Sequence, residues 1–278
     1  MAKLALSQTH TTRSAVTLSH KQPRRLLLVL ASLPLLLFLL VPLVALALRI
    51  SVADMLAHLS TPQVAQAVTL SITTTLMTTF ITVVSGTPLA YLLARHRFRG
   101  RTVLDTLLDL PMVLPPSVAG IALLIAFGRQ GMIGSYLNDL GWSIPFTQAA
   151  VVLAQMFVAA PYFVKAAVSG FAGVERDLEQ SAALDGAGPL QIFRAITLPL
   201  AWPALLSGAV MTWARAVGEF GATIIFAGNF PGRTQTMPLA IYIGFELDLQ
   251  IALTLSIILL ATSFGVLFVV KRLLHQRV

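Results

Sequence analysis

The sequence predicts an all-α integral membrane protein with six membrane-spanning helices and both termini on the cytoplasmic side. Three observations predict this fold class. Of the 278 residues, 56% are hydrophobic and only 11% are charged, whereas soluble domains carry about a quarter charged residues. Six apolar windows are long enough to cross a hydrocarbon layer of about 30 Å as helices. Basic residues concentrate in alternate connections between these windows, as they do in cytoplasmic loops.

The apolar windows place the spans in order along the chain. Leu26 to Leu48 and Ile251 to Val270 contain no charged residue. A cleaved signal peptide is the alternative for the first window, but its apolar run exceeds the roughly 7–15 residues of such signals. Residues 1–23 are expected to form a polar cytoplasmic tail and residues 24–278 the membrane domain. The predicted spans are residues 24–48, 65–94, 103–128, 146–171, 198–227 and 239–270.

The positions of Lys and Arg predict the orientation. Of the 19 basic residues, fifteen lie on the side that holds both termini, three lie on the other side, and Arg215 lies inside the fifth span. Because Lys and Arg accumulate in cytoplasmic segments, the first side is predicted to be cytoplasmic. The fifteen are Lys3, Arg13, Lys21, Arg24, Arg25, Arg95, Arg97, Arg99, Arg101, Lys165, Arg176, Arg194, Lys271, Arg272 and Arg277, and the three are Arg49, Arg129 and Arg233.

The composition excludes several classes of function. The net charge of +8 has no domain-sized polar surface on which to form a nucleic-acid site, so no nucleic-acid partner is expected. The chain has no cysteine, which excludes disulfides and thiolate sites. No metal site is predicted, because the five histidines lie in tails or loops without the His-Glu-x-x-His spacing. They are His10, His20, His58, His96 and His275.

One large polar connection, at about residues 172–197, separates the fourth and fifth spans. Its Glu, Leu, Gln and Ala residues favour a first helix, Gly186 and Gly188 end that helix, and Pro189 suits the first position of a second. An ordinary amphipathic connector has the same pattern. A protruding helix pair would also suit a soluble partner that grips it and moves the membrane helices.

Two charged residues inside the fifth span are candidates for the pore or its gate. Arg215 and Glu219 are four residues apart, share a helix face and can neutralise each other. A purely structural ion pair is the alternative. Gly218 and Gly221, beside them, are predicted to let helices approach closely.

Prolines and hydroxyl residues mark two further spans. Pro115 and Pro116 are predicted to kink the third span and are candidates for a gate hinge. The second span is rich in hydroxyls that either line a hydrophilic path or bond their own helix carbonyls. These are Thr69, Ser71, Thr73, Thr74, Thr75, Thr78, Thr79 and Thr82.

The side opposite the termini carries candidates for contact with an external partner. Arg129 and Arg233 suit an oxyanion or an acidic protein surface, although lone interfacial arginines also anchor span ends. Asn229 lies in a segment of Pro, Gly, Asn and Thr that predicts an outer loop up to Pro238.

The polar connection resembles the EAA loop of permeases of ATP-binding cassette (ABC) importers, which reads Glu-Ala-Ala, three residues, Gly, nine residues, Ile-x-Leu-Pro. Gly186, Ile196, Leu198 and Pro199 match this spacing. The name-giving triplet instead reads Gln180-Ser181-Ala182, with Glu179 one place earlier. Residues 110–120, 128–134, 214–223 and 227–242 resemble blocks of molybdate and sulfate permeases, and the last block is closer to the molybdate branch.

The resemblance implies a MetI-like permease subunit of an ABC importer in the cell (inner or plasma) membrane. Its partners would be a second permease copy, an extracytoplasmic oxyanion-binding protein, membrane lipid and ATPase subunits that bind ATP and Mg. No enzymatic activity or cofactor is expected in this chain, which has no phosphate-binding loop. The implied contacts with the ATPase are Glu179, Gln180, Ser181, Ala182, Asp185, Gly186, Ala187, Gly188, Ile196, Leu198 and Pro199.

Molybdate is the substrate that the resemblance favours, while sulfate, tungstate and thiosulfate remain alternatives. A gradient-driven secondary transporter is the alternative from another class. Such transporters often contain inverted repeats, and no internal repeat is evident in this sequence. The polar helix pair would also have no purpose in that class.

Overall fold

The computed structural model describes residues 22–49 and 51–275. The predicted N-terminal tail at residues 1–23 lies outside the described residues except for its last two, as does Arg277. The described part of the chain is helical and contains no strand. It divides into two units, one ending at Leu48 and one beginning at Arg49.

Thirteen α-helices and one π-helical turn make up the described residues. The short helices α2, α6 and α11 were not separate elements of the sequence prediction, whereas α9 is the predicted second helix of the polar connection. The helices are α1 (Gln22–Arg49), α2 (Val52–Leu59), α3 (Pro62–Arg95), α4 (Arg101–Val113), α5 (Pro116–Phe127), α6 (Gly134–Asp139), α7 (Gln148–Ala172), α8 (Arg176–Leu184), α9 (Pro189–Ile192), α10 (Leu198–Val217), α11 (Gly221–Phe226), α12 (Met237–Leu247) and α13 (Leu249–His275), with the π-helical turn at Phe193–Thr197.

The first unit contains α1, which is long and apolar enough to span a membrane. Its segment Leu27–Arg49 has 23 residues and a mean hydropathy of 2.8. At about 1.5 Å per residue, such a helix exceeds the thickness of the hydrocarbon layer. The predicted first span is therefore confirmed.

In the second unit, α3 and α7 run parallel. Gln155 Nε2 donates to Thr74 Oγ1 at 3.3 Å, and further along both helices Arg95 Nη2 donates to the Val174 carbonyl at 3.1 Å. The bundle end at which both helices finish is called the α8 end, and the opposite end the α11 end. Two consecutive parallel helices require the intervening chain to cross back to the α11 end.

That return crossing is made by α4 and α5, which are bent by 117° relative to each other. Asp105 of α4 contacts Lys165 towards the α8 end of α7, whereas α5 packs on Ala150 and Ala154 near its start. The predicted third span at 103–128 is therefore a pair of helices that meet at the kink predicted for Pro115 and Pro116. Leu114 is extended at the break, because the residue before a proline avoids the α conformation and Pro115 has no N–H to donate.

Helix α10 runs antiparallel to α7 and carries the chain to the α11 end. Thr212 Oγ1 donates to the Ala159 carbonyl at 3.2 Å, while Gly170, nearer the end of α7, packs against Ala204, nearer the start of α10. The predicted fifth span at 198–227 is interrupted after Val217, where Gly218 caps α10 and the chain turns into the separate helix α11.

The predicted sixth span at 239–270 consists of two helices that form a hairpin. Gly244 of α12 packs against Ala252 of α13, and the turn lies at Asp248, whose carboxylate accepts from the amides of Gln250 and Ile251. Of these two helices, α13 crosses the bundle and α12 does not. Leu255 packs at the α11 end with Val64, and later α13 residues line a groove with Leu76 and Thr79.

The second unit thus crosses its bundle five times, through α3, the α4–α5 pair, α7, α10 and α13. Together with α1, this gives the six predicted spans, of which five are continuous apolar helices and one is the bent pair. The C-terminal end of α13 lies at the α8 end. Two buried cores support the two ends, one with Leu93, Phe163 and Phe171 and the other with Leu123 and Phe226.

Candidate coupling and gate sites

The polar connection forms the helix, turn and helix that the sequence predicts. Helix α8 ends in a Schellman motif, in which the amide of Gly186 bonds the Ala183 carbonyl at 3.1 Å and the amide of Ala187 bonds the Ala182 carbonyl at 3.0 Å. Gly186 adopts φ +87°, a conformation that glycine accepts without a steric penalty. Pro189 then opens α9. We call residues 176–197 the coupling segment.

The coupling segment exposes apolar side chains on a polar projection. Leu184 is 89% exposed and Leu190 is 61% exposed. A surface hollow of about 580 Å³, lined by residues 188–191 together with Arg194 and Ala195, adjoins Leu190. Of the predicted ATPase contacts, Gln180, Ser181, Asp185, Gly186, Gly188 and Pro199 are exposed, while Glu179, Ala182, Ala187, Ile196 and Leu198 are half-buried.

Glu179 points into the protein rather than outward. Its Oε1 atom lies 2.8 Å from Arg95 Nη2 and accepts a 2.5 Å hydrogen bond from Thr197 Oγ1. Arg95 was not predicted as a site residue, because its charge was assigned only to the positive charge of a loop. The spacing between the two residues in the chain gives no local signal of the contact.

A second ion cluster, whose three side chains are half-buried, joins α4 to α7. Lys165 Nζ lies 2.7 Å from Asp105 Oδ1 and 2.9 Å from Asp109 Oδ2. The two aspartates are four residues apart and so share a face of α4. Two carboxylates on one ammonium leave the cluster with a net negative charge and hold α4 against the last turns of α7. This cluster was not predicted from the sequence either, although a lysine within an apolar window was a usable signal.

Arg215 and Glu219 form the ion pair that their spacing predicts. Arg215 Nη1 lies 2.8 Å from Glu219 Oε2, and the Glu219 side chain is only 1% exposed. Its Oε1 atom accepts from the amide of Ala222 at 2.8 Å and so satisfies a donor at the start of α11. Oε2 makes no aligned hydrogen bond within the described residues, so Arg215 stabilises it by charge.

Helix α11 brings the ion pair next to the break between α4 and α5. A Cβ atom added to Gly221 would lie 2.8 Å from Cβ of Pro116, so only glycine allows this approach. Gly218, in contrast, has no such neighbour closer than 3.9 Å, and the predicted close packing there is wrong because Gly218 lies at the end of α10. We call Pro116, Arg215, Glu219 and Gly221 the gate cluster. Pro115 is the residue that precedes α5.

Most hydroxyls of α3 bond within their own helix, and three of them, on Ser71, Thr74 and Thr78, also bond to other elements. Thr73, Thr74, Thr75 and Thr79 donate to carbonyls three or four residues earlier. Ser71 Oγ accepts from the amide of Met237 at 2.7 Å. Thr78 Oγ1 donates to Oε1 of the buried Gln155 at 3.0 Å. These bonds connect α3 to α7 and α12.

The predicted contacts with an external partner lie at the α11 end. Arg129 and Arg233 are exposed, and Asn229 is half-buried. The loops that carry them pack through Phe146 and Phe230, whose ring centroids are 6.0 Å apart. The exposed aromatic residues around α6 were not predicted as part of this surface, and Tyr136 and Trp142 are each more than 70% exposed. Such residues are typical of membrane interfaces.

Apolar helices that account for six membrane spans, together with one structured polar projection, define a multi-span membrane permease subunit. The chain belongs to the family described as "Binding-protein-dependent transport system inner membrane component", which matches residues 86–278. Its fold is the all-helical fold of ABC importer permeases. The chain of a bacterial ABC transporter that imports the acidic polysaccharide alginate matches with a TM-score of 0.71 at 16% identity, over 91% of this chain and 96% of that one.

Two relatives cover most of the chain. The molybdenum transport system permease protein ModB of Mycobacterium tuberculosis is 45% identical over 226 residues, which are 81% of this chain and 86% of the relative. A probable molybdenum ABC transporter permease protein of Haloferax volcanii is 37% identical over an alignment of 274 positions that covers 92% of this chain and 98% of the relative.

Proposed function

We propose that this chain is the membrane-spanning subunit of an ABC importer that carries molybdate into the cell. The observation that carries this proposal is the 45% identity to a molybdenum permease across both the coupling segment and the gate cluster. The relative from Haloferax volcanii supports it over nearly the whole chain. Transport is the activity of this subunit, and ATP hydrolysis belongs to its partners.

The coupling segment is the docking surface for the ATPase subunit, which holds ATP and Mg. Leu178, Leu184 and Leu190 are exposed on a projection that also carries charged and amide side chains, and apolar side chains in such a setting are typical of a protein interface. The excess of Lys and Arg in the connections at this end supports a cytoplasmic position for it. Both chain termini are assigned to the same side.

The α11 end faces the extracytoplasmic binding protein, which delivers the oxyanion. Arg129 and Arg233 are exposed there and suit either an anion or an acidic protein surface. A second copy of the chain completes the translocation path, and we place its contact on the apolar faces of α4 and α5 that one copy leaves uncovered. Val113 and Ile125 are more than 60% exposed on these helices.

Transport follows from a rigid connection between the two ends. When the ATPase subunits close, they displace the coupling segment, and α3, α7 and α10 move with it because all three pack at the α8 end. Helix α10 ends at the gate cluster, so its movement shifts α11 against Pro116. Access then alternates between the two sides.

The substrate is tested by uptake into vesicles that contain the chain with its ATPase subunits and binding protein. We expect ATP-dependent uptake of radiolabelled molybdate that unlabelled molybdate and tungstate inhibit and a large excess of sulfate does not. Inhibition of molybdate uptake by equimolar sulfate, or uptake of sulfate alone, would contradict the assignment of molybdate and favour a sulfate or thiosulfate permease.

A further inference from the structure

We propose that Arg95 is a positioning residue that fixes the coupling segment to the bundle through Glu179, so that α8, α3 and the start of α10 move as one body. This inference rests on the proposed function for its consequence in transport. The attachment itself rests on the contacts of Arg95 and is testable without transport.

Arg95 joins three parts of the chain at one carboxylate. Its Nη2 atom donates to Glu179 Oε1 at 2.8 Å and to the Val174 carbonyl at 3.1 Å. Thr197 of the π-helical turn donates to the same Glu179 oxygen at 2.5 Å. The last turn of α3, the middle of α8 and the entry to α10 therefore meet at Glu179. We call Arg95, Glu179 and Thr197 the latch.

The latch is shielded from solvent, which distinguishes it from an ordinary surface ion pair. The Arg95 side chain is 8% exposed and the Glu179 side chain 18%, and Thr197 is fully buried. Charge-assisted hydrogen bonds in such surroundings are stronger than those in water. Nearby Arg97 and Arg99 are exposed and have no partner of this kind among the described residues.

An aromatic cluster supports the latch from the side of the bundle. Tyr91, one turn before Arg95, packs edge-on against Phe171 of α7 and Phe193 of the π-helical turn, with ring centroids 5.5 and 5.2 Å apart. The latch therefore lies on a rigid base rather than on a mobile loop. A displacement of α8 at Leu184 is passed to α3 and α10 instead of being absorbed by local bending.

This geometry gives Glu179 a different role from the other predicted coupling residues. Its carboxylate is engaged inside the subunit, whereas Gln180 and Ser181 next to it are exposed. The exposed residues suit contact with the ATPase. Glu179 suits transmission of the resulting force.

The attachment is tested first on the permease alone by amide hydrogen exchange. Replacing Arg95→Gln should raise exchange in residues 176–197 by about tenfold, since it removes hydrogen bonds to a charged group. Arg97→Gln, which changes the charge equally at an exposed site, should leave exchange in this segment unchanged. Equal exchange in the Arg95→Gln variant and the unaltered protein would overturn the proposal, whatever the transported substrate.

The consequence for transport is tested in the complex with ATPase subunits and binding protein. The Arg95→Gln complex should hydrolyse ATP but transport about tenfold less molybdate per ATP. The charge exchange Arg95→Glu with Glu179→Arg should recover part of this ratio, which a merely structural loss would not do. If the Arg95→Gln variant fails to assemble, the Arg95→Lys and Thr197→Val variants serve instead, and both must lower the amount of molybdate transported per ATP.

An unchanged amount of molybdate per ATP in these variants would overturn the proposal. Absent uptake by the unaltered complex would count against the proposed function instead.

Discussion

Replacing Glu219→Gln alone is expected to destabilise the permease more than replacing Glu219→Gln and Arg215→Met together. Glu219 is 1% exposed and is the ionic partner of Arg215. The glutamine keeps an oxygen for the amide of Ala222 but removes the charge that balances the guanidinium. Because the Arg215 side chain is 27% exposed, leaving its charge unpaired is expected to cost about 2 kcal/mol of the free energy of unfolding, less than the roughly 3–5 kcal/mol for a fully buried pair. Removing both charges costs less, because no unpaired charge remains.

The measurement is the free energy of unfolding in detergent micelles for the unaltered chain, the two single variants and the double variant. A cycle of this kind isolates the coupling between the two side chains, which we expect to be about 2 kcal/mol. Additive losses would mean that Arg215 and Glu219 do not stabilise each other. A strong coupling would identify the pair as the element that holds α11 beside Pro116.

Replacing Gly186→Val is expected to abolish stable association with the ATPase while the permease remains folded in the membrane. Gly186 has φ +87°, and an L-residue with a branched side chain in this conformation costs about 1–2 kcal/mol or more. The turn would lose its Schellman geometry, and α9 would leave its place beside α8. We expect the affinity for the ATPase to fall by at least about tenfold, which corresponds to about 1.4 kcal/mol.

Gly188→Val is the matched control for this change. No atom lies within 4 Å of a Cβ added at either glycine, but Gly188 has φ −72° and ψ 161°, which any residue adopts. The Gly186→Asn variant should bind the ATPase with an affinity between those of the Gly186→Val and Gly188→Val variants, since asparagine tolerates the left-handed region better than valine. Equal loss of ATPase binding in the variants at 186 and 188 would contradict the turn as the cause. Binding is measured by co-purification and by titration of the detergent-solubilised permease.

The sequence was sufficient for the number of spans and for the coupling segment, because each leaves a local signal. Long charge-free windows indicate spans, and a glycine followed by a proline marks the turn and the start of α9. Pro115 and Pro116 predicted the kink in the third span. They did not predict its size, because the 117° bend depends on what α5 packs against, including Gly221 of a distant helix.

The direction of α12 was not predictable from hydropathy. Residues 239–270 are apolar on both sides of Asp248, so one continuous span and a helical hairpin give nearly the same profile. The hairpin forms because Gly244 allows α12 to approach Ala252 of α13 closely. This is a contact between two helices, which a hydropathy profile does not report. Asp248 itself was a local signal, since an aspartate before a helix caps its first turn.

The polar contacts between helices were the least predictable part of the site. Arg215 and Glu219 are only four residues apart, and although Glu219 lies just past the end of α10, this short separation was enough to predict their pairing. Arg95 and Glu179 are far apart in the chain, and their contact depends on the parallel packing of α3 and α7. Sequence patterns that describe one helix at a time contain no information about such pairs.

The measurement that tests the proposed function most directly is the energy source of molybdate uptake by the reconstituted complex. Vesicles with the permease, its ATPase subunits and the binding protein are supplied with molybdate outside and ATP at the ATPase face, with ion gradients collapsed by ionophores. We predict uptake that requires ATP and the binding protein and is lost in the Gly186→Val complex. Uptake that persists without ATP and follows an imposed ion gradient would contradict the assignment and identify a secondary transporter.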